Sequence, residues 1–377
     1  MRVCLDISAA LGQGAGIGRY TRELALALHA LPGGPELVLF HNRQPGRIPR
    51  RLGDLPRFKV PCGDRTWRIL ALSGLRVPGM RRAGYHFDLF HGPDTLAPSL
   101  PQRKIITIHD LSPLVYPQHH TLLHRSYVRW SLPRLVKRAS AVIAVSNATK
   151  HDLVERLGLA PGKIHVVPNG VDHKHFHPLN KEEAGAVAES LGVTPPYILS
   201  LGTLEPRKNL SALFEAYARL GLGAPQMVLA GAKGWGRDSV FDLARRLDIA
   251  GRVRFTGHVP DRALPALYAG AELFVYPSLY EGFGLPVLEA LACGVPTIAG
   301  RTSSLPEVAG DAALLVDPPD AERLAQAIKG LLENPELRSD LRVRSLRRAA
   351  RFSWERTAGE TMAVYQSVLS NVDPDRG

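Results

Sequence analysis

Cysteine is scarce in this chain. Its 377 residues hold three thiols, Cys4, Cys62 and Cys293. They are too isolated for a Cys-x-x-Cys metal knuckle and too few for a disulfide framework, so they read as buried free thiols. Long apolar runs are also missing, and no stretch approaches the roughly 18 uncharged apolar residues that cross a bilayer. The first residues, Met1 to Ser8, read as a buried strand and lack the long apolar core and small-residue cleavage site of a signal peptide. The expectation is a cytoplasmic protein. There is no His-Glu-x-x-His pair among the 14 histidines. His173, His175 and His177 alternate in a polar loop, but no metal site is expected from them. Apolar content of 45% with 22% charged residues excludes a disordered or fibrous chain.

Negative charge is in short supply too, with 35 acidic residues against 47 basic ones and a formal charge of +12. The excess is uneven. From Arg43 to Arg82 there are 11 basic residues (Arg43, Arg47, Arg50, Arg51, Arg57, Lys59, Arg65, Arg68, Arg76, Arg81, Arg82) against Asp54 and Asp64, a net of +9. A second cluster, Arg125, Arg129, Arg134, Lys137 and Arg138, is interleaved with Tyr127, Trp130, Leu132 and Leu135 on an expected helix. Two readings compete: a solvated basic face, or a surface drawn to anionic lipid head groups or an acidic acceptor. The second would hold the protein peripherally on the inner face of the membrane. Nucleic acid is not an expected partner, because no recognition motif accompanies the charge.

What the chain has in quantity is short Val/Ile/Leu-rich runs alternating with helical patterns, the mark of parallel sheets covered by helices. Strands are expected at residues 2–8, 36–41, 104–109, 141–145 and 163–167, and again at 197–201, 226–230, 252–256, 272–276, 295–299 and 313–316. Helices are expected at 209–220, capped by Asn209, at 239–247, and from 335 to about 369 with a break marked by Trp354. Two consecutive doubly wound units follow, at 1–178 and 179–353, with a terminal helix at 354–377. They imply a cleft with ligands at the carboxyl ends of the strands.

The strongest constellation is Tyr276-Pro-Ser-Leu-Tyr-Glu-Gly-Phe-Gly-Leu-Pro-Val-Leu-Glu-Ala290. A strand ends, a glycine turn follows, and a helix begins near Leu285 with Pro286 in its first turn, where a missing N–H costs nothing. Gly294 stops it. The amides of Gly282, Phe283, Gly284 and Leu285, with the helix dipole, are suited to a diphosphate. Glu281 and Glu289 are eight residues apart, about 12 Å if fully helical at ~1.5 Å per residue, a span that fits one nucleotide sugar. Arg207 and Lys208, after the strand at 197–201, supply fixed cations for a leaving diphosphate. Ile105-Ile-Thr-Ile-His-Asp110 ends a first-domain strand and offers His109 to a sugar hydroxyl or the acceptor. Gly12-Gln-Gly-Ala-Gly-Ile-Gly18 is expected as a loop through which backbone at Gly18 approaches a phosphate or sugar. It is not the dinucleotide fingerprint, and the second strand ends in His41-Asn42 without the acidic residue that holds an NAD ribose, which counts against an oxidoreductase.

These residues together resemble a retaining glycosyltransferase of family 4. The resemblance runs over nearly the whole chain through Gly12–Gly18, His109-Asp110, Ser146-Asn147, Asn169-Gly-Val-Asp172, Gly202 with Arg207-Lys208-Asn209, Glu281-x7-Glu289 and Phe352-Ser-Trp-Glu355. It implies the GT-B fold, two Rossmann-like domains facing across a cleft with the last helix crossing back to the first. It also implies that Arg207 and Lys208 hold the donor phosphates, Glu289 the ribose, and Glu281 with the 282–285 amides the sugar. His109 would contact a distal hydroxyl and the base would pack near Gly257–Val259. His109, Glu281 and Lys208 are the expected catalytic residues, with no cofactor and no metal. Thr203 departs from the pattern, since many relatives carry a second phosphate-binding arginine there. The Gly-Thr-Leu-Glu-Pro-Arg-Lys-Asn variant is most similar to bacterial mannosyltransferases, which favours GDP-mannose as donor and a lipid-linked or oligosaccharide hydroxyl as acceptor. The rivals are a same-fold nucleotide-sugar epimerase or glycoside phosphorylase, and a non-catalytic basic protein binding polyanions or membranes.

Overall fold

A computed structural model describes residues 1–12, 16–73, 86–94, 97–100, 102–232, 237–317 and 320–370. The chain divides into two compact units, Met1–Gly170 with Trp354–Gly377, and Val171–Ser353. The boundary read at 178 therefore lies inside the second unit. Val171 pairs with Ser353 and the Phe176 ring meets Tyr268 edge-on at 6.1 Å, so the stretch after Gly170 is held by second-unit residues.

The first unit contains seven strands, β1 (Arg2–Asp6), β2 (Glu36–His41), β3 (Arg57–Lys59), β4 (Leu89–Gly92), β5 (Arg103–Ile108), β6 (Ala141–Ala144) and β7 (Ile164–Val166). They form one sheet in the order β3-β2-β1-β4-β5-β6-β7, parallel throughout. The second unit contains β8 (Tyr197–Leu201), β9 (Gln226–Ala230), β10 (Val253–Gly257), β11 (Leu273–Tyr276), β12 (Thr297–Gly300) and β13 (Ala313–Val316). Its order is β10-β9-β8-β11-β12-β13, again parallel. Each is the doubly wound Rossmann arrangement, which reverses direction once, at β1/β4 and at β8/β11. Ligands of such sheets bind outside the carboxyl ends of the strands at that reversal.

The strands are apolar along their length because helices cover both sheet faces. In the second unit Ile198, Leu229, Val275 and Ile298 pack with Leu213, Phe214 and Tyr217 of the helix Leu210–Ala218 and with Leu324, Ile328 and Leu331 of the helix Ala321–Glu333. Each such side chain contributes about 1.5–3 kcal/mol by leaving water. In the first unit the Phe40 ring packs tilted against Trp67 at 4.6 Å and meets Phe90 edge-on at 5.8 Å. Ser146-Asn147 acts as a helix start: Ser146 Oγ accepts from the Thr149 amide at 3.0 Å, and Gly158 closes the helix Asn147–Leu157 in the left-handed conformation.

The expected terminal helical segment is two helices, Pro335–Ala349 and Trp354–Ser370. The second packs into the first unit. Trp354 meets Tyr20 at 6.0 Å and Thr357 Oγ1 donates to the Pro168 carbonyl at 2.8 Å. Tyr365 Oη lies 2.7 Å from His91 Nδ1, whose Nε2 lies 2.8 Å from Thr107 Oγ1. Burial lowers the His91 pKa to about 3, so the ring stays neutral and links the helix to β4 and β5.

Two local expectations fail. The glycine-rich segment after β1 is not one loop: Ser8–Gly12 and Gly16–Ala30 are helices, and Gln13, Gly14 and Ala15 lie outside the described residues. Gly18 is thus a buried first-turn helix residue of the first unit. Asn209 does not cap the helix at Leu210. It holds φ 55° and its side chain makes no capping bond, because the short turn Pro206–Lys208 closes on it with the Asn209 amide bonded to the Pro206 carbonyl at 3.0 Å.

At the carboxyl ends of β8 and β9 two backbones touch. Gly231 has φ +149°, and a Cβ there would stand 2.0 Å from the Gly202 carbonyl oxygen. Gly231→Ala must move backbone rather than a side chain, so a loss of about 1–3 kcal/mol or more is expected. Chemical denaturation of the variant checks this, and unchanged stability would contradict it.

Candidate active site

Where its sheet reverses, the second unit gathers a buried cluster of charged residues. After β8 the chain makes a turn at Pro206–Lys208, and after β11 it runs through Pro277 and Ser278 to Glu281. The two segments are tied by the Leu279 amide donating to the Arg207 carbonyl at 2.9 Å, and Ser278 Oγ lies 3.1 Å from the same oxygen. Lys208 Nζ lies 2.6 Å from Glu281 Oε1 and 2.6 Å from Tyr276 Oη. Arg207 Nη1 lies 3.0 Å from the same Oε1, while Nη2 reaches Glu205 Oε1 at 2.6 Å. Tyr276 Oη and Ser278 Oγ also donate to Glu281 Oε1, at 3.0 and 2.6 Å. The carboxylate is therefore anchored through Oε1.

The set is buried, with Glu281 8% exposed. Burial alone would raise the Glu281 pKa, but Arg207 and Lys208 outweigh it and hold the carboxyl at about 2. Lys208 is lowered by burial and by Arg207, with Glu281 opposing. Arg207 and Lys208 together keep Glu281 ionised, and Glu281 in turn favours the charged form of Lys208.

The backbone around Glu281 is equally fixed. Its amide donates to Ser303 Oγ at 2.8 Å, and Ser304 Oγ lies 2.9 Å from the carbonyls of both Glu281 and Phe283, which share its one proton. Ser303 holds φ 44°, a conformation that costs a non-glycine residue energy and persists where neighbours impose it. Gly284 at φ 101° then starts the helix Leu285–Ala292 with Pro286 in its first turn. The amides of Phe283, Gly284 and Leu285 have no acceptor among the described residues.

Sequence reasoning missed Tyr276, Ser278, Glu205, Ser303 and Ser304. Tyr276 is hidden in an apolar strand run, and the serines look like ordinary turn residues. It also treated Arg207 and Lys208 apart from Glu281, whereas the three form one cluster. Glu289 is not part of that cluster. The helix begins only at Leu285, so the 12 Å estimate for a wholly helical spacing does not apply. Glu289 is neither exposed nor at the helix surface: it is 2% exposed, and Tyr268 Oη donates to its Oε2 at 3.0 Å. Val259 is buried, just beyond the end of β10.

His109 follows β5 in the first unit. Its Nε2 lies 2.7 Å from the Pro93 carbonyl, which can only accept, so Nε2 carries the proton and Nδ1 the lone pair. Burial lowers its pKa, against the Pro93 carbonyl and the carboxylates of Asp94 and Asp110. Tyr20 packs edge-on to the ring at 4.7 Å. Of the alternating histidines, His173 and His175 donate to the carbonyls of Phe352 and Asp261. No group of three or more His, Cys, Asp or Glu able to hold a metal occurs among the described residues.

Of the basic surface, Arg76, Arg81 and Arg82 lie outside the described residues. The helix Leu122–Arg138 presents Leu122, Leu123 and Trp130 to solvent, and Arg134 lies over the Trp130 ring at 4.3 Å. Among the described residues no helix is long and apolar enough to cross a membrane.

With this geometry in hand, known proteins can be set beside the chain. Residues 14–175 match the model of Glycosyltransferase Family 4, and residues 186–347 that of Glycosyl transferases group 1. O-antigen chain mannosyltransferase B of Escherichia coli is 32% identical, with 93% of this chain and 96% of that protein covered. MMP alpha-(1->4)-mannosyltransferase of Mycolicibacterium hassiacum is 30% identical over 96% of each. Among solved structures, sucrose-phosphate synthase of Thermosynechococcus elongatus superposes with a TM-score of 0.81 at 22% identity, covering 99% of this chain and 100% of that one. Anabaena Alr3699/HepE in complex with UDP does so with a TM-score of 0.75 at 19% identity, covering 97% and 99%. With one family model on each unit and relatives matched over nearly their full length, the chain is a GT-B glycosyltransferase and belongs to glycosyltransferase family 4.

Proposed function

We propose that this glycosyltransferase moves a mannosyl group from a nucleoside diphosphate sugar, GDP-mannose being favoured, to a hydroxyl of a lipid-linked or oligosaccharide acceptor, with retention of configuration and without a metal. The observation that supports it best is the Lys208 ammonium. It has three N–H donors; two go to Glu281 and Tyr276, and the third has no partner among the described residues. A phosphate oxygen is the natural acceptor for it. As the glycosidic bond breaks, negative charge grows on the departing diphosphate. Lys208 and Arg207, already fixed by Glu281, meet that charge without reorganising. The amides of Phe283 to Leu285 and the helix dipole act in the same sense. Glu281, anchored through Oε1, offers Oε2 to a sugar hydroxyl, and Glu289 takes the ribose hydroxyls. In the first unit His109 offers Nδ1 as an acceptor to a sugar or acceptor hydroxyl. The mannosyl assignment rests on the names of the two relatives.

A thermal-shift panel of GDP, UDP and ADP tests the donor site. One nucleoside diphosphate should stand out, and at ~100 times its Kd the stabilisation should be roughly 2.7 kcal/mol. EDTA should leave turnover unchanged. No shift with any of the three, or strong inhibition by EDTA, would contradict the reading. The exposed Leu122, Leu123 and Trp130 beside Arg125, Arg129 and Arg134 fit a membrane-borne acceptor. Co-sedimentation with anionic vesicles is expected at low salt and should be lost near 1 M, where the Debye length is about 3 Å. Absence of binding at low salt favours a soluble acceptor.

A further inference from the structure

Ser303 holds a backbone conformation that suits glycine rather than serine. Its φ of 44° lies in the left-handed region, where a Cβ crowds the following carbonyl oxygen. Among the described residues the other non-glycine positions of positive φ are Asn209 and Asp248, the side-chain types that adopt it most readily. Serine has no such excuse. Strain of this kind persists where the surroundings impose it, and it gathers at functional sites.

Ser303 is the middle of three successive hydroxyl residues, Thr302, Ser303 and Ser304, that follow β12. β12 is the parallel neighbour of β11, so its outgoing loop runs beside the one that carries Glu281. All three hydroxyls engage that loop. Thr302 Oγ1 donates to the Ser278 carbonyl at 2.9 Å, Ser303 Oγ accepts from the Glu281 amide, and Ser304 Oγ bonds the carbonyls of Glu281 and Phe283. The approach is close at both ends. A Cβ on Gly300 would stand 2.7 Å from the Ser278 carbonyl oxygen, and one on Gly284 would stand 2.6 Å from Leu305 Cδ2. Ser304 is relaxed, with φ −77°, and fully buried. Ser303 is strained and only half-buried. Water could satisfy a half-buried amide with glycine at 303 and no strain. What water does not supply is an acceptor fixed to the neighbouring strand.

From this we infer that Ser303 is a positioning residue for the transfer reaction: its hydroxyl fixes the Glu281 backbone, and so the direction in which the carboxylate is presented, in a conformation that strains the loop. The Glu281 carboxylate is anchored through Oε1. A group held by one oxygen pivots about it unless its Cα is also held, and the Ser303 bond holds the amide next to that Cα. Glycine would relax the loop and lose this hold. The inference rests on the reading above of Glu281 as the residue that meets the donor sugar, and it adds a residue that touches neither sugar nor phosphate.

The experiment compares Ser303→Gly and Ser303→Ala in the full chain. Both delete the hydroxyl, but Ser303→Ala keeps a Cβ at positive φ, so Ser303→Gly should melt at the higher temperature. Activity should not follow that order. With GDP-mannose as donor and water as acceptor, both variants should release nucleoside diphosphate about tenfold more slowly than wild type, with KM within about twofold, because a displaced reacting group costs rate rather than binding. The Glu281 carboxyl, held at about 2 by its neighbours and followed by carbon-13 NMR, should begin to protonate at higher pH in both variants. A serine that only held the fold would give rates that track melting, with Ser303→Gly near wild type. That result, or a Glu281 titration unchanged in both variants, overturns the inference and leaves the donor reading standing. If the wild type releases nothing from GDP-mannose, UDP-glucose or ADP-glucose, the donor reading fails. The titration then decides on Ser303 by itself: a shift in both variants supports its hold on Glu281, and no shift refutes it.

Discussion

Replacing Lys208 with alanine should lower kcat/KM by about two orders of magnitude or more, by analogy with the loss of one preorganised donor to a developing anion. The fall should sit mainly in kcat, because the charge that Lys208 meets is greater on the departing diphosphate than on the intact donor. Folding should suffer less. Glu281 Oε1 keeps Arg207 at 3.0 Å, Tyr276 at 3.0 Å and Ser278 at 2.6 Å when the ammonium is gone, so the carboxylate is not stranded. Steady-state kinetics with a melting curve on the same preparation separates the two effects. Near-native turnover in Lys208→Ala would place the phosphate contact elsewhere.

Glu281→Ala should behave in the opposite way and damage the fold as well as the reaction. It leaves Lys208 and Arg207 side by side, 11% and 13% exposed at the side chain, with Glu205 paired to Arg207 at 2.6 Å. Removing one partner of a buried ion pair costs about 3–5 kcal/mol, a large share of the total stability of a domain. The loss should depend on pH in a defined direction. The folded pKa of Glu281 is about 2, below its ordinary value of 4.5. Its contribution is therefore complete above 4.5 and fades as pH falls toward 2. The gap in unfolding free energy between wild type and Glu281→Ala should be flat through neutral pH and shrink below 4.5. A gap that widens in acid would mean the carboxylate is not held ionised by its neighbours. Glu281→Gln, which can still accept from Tyr276 and Ser278, should lie between the two.

Much of the second unit was readable before any coordinates. β8, β9 and β13 fall on the residues expected, because parallel strands under covering helices are continuous apolar runs bounded by turns. The turn from β11 into the helix at Leu285 was also legible, since Gly284 and Pro286 each have one backbone preference that the geometry uses. β3 and β4 were not. β3 is a three-residue edge strand, Arg57-Phe-Lys59, inside a basic stretch. β4 is central but spells Leu-Phe-His-Gly, where the polar His91 is tolerated because Thr107 and Tyr365, distant in sequence, satisfy both ring nitrogens. The clustering of Arg207, Lys208 and Glu281 on one oxygen was equally hidden. Each residue type could be read, but their convergence depends on β8 and β11 being neighbours, a fact of the sheet order.

The helix Trp354–Ser370 also bears on how the protein is made. The first unit begins the chain and is finished by its last described helix, while the second is one uninterrupted stretch between them. A ribosome therefore delivers every residue of Val171–Ser353 before it delivers Tyr365. Until then His91 lacks its Tyr365 partner, Tyr20 lacks the Trp354 ring, and the Pro168 carbonyl lacks Thr357. The unit translated first is the one completed last, so the usual N-terminal-first order of domain maturation is reversed. A nascent chain stalled just after Ser353 should carry a protease-resistant second unit behind a protease-sensitive first one.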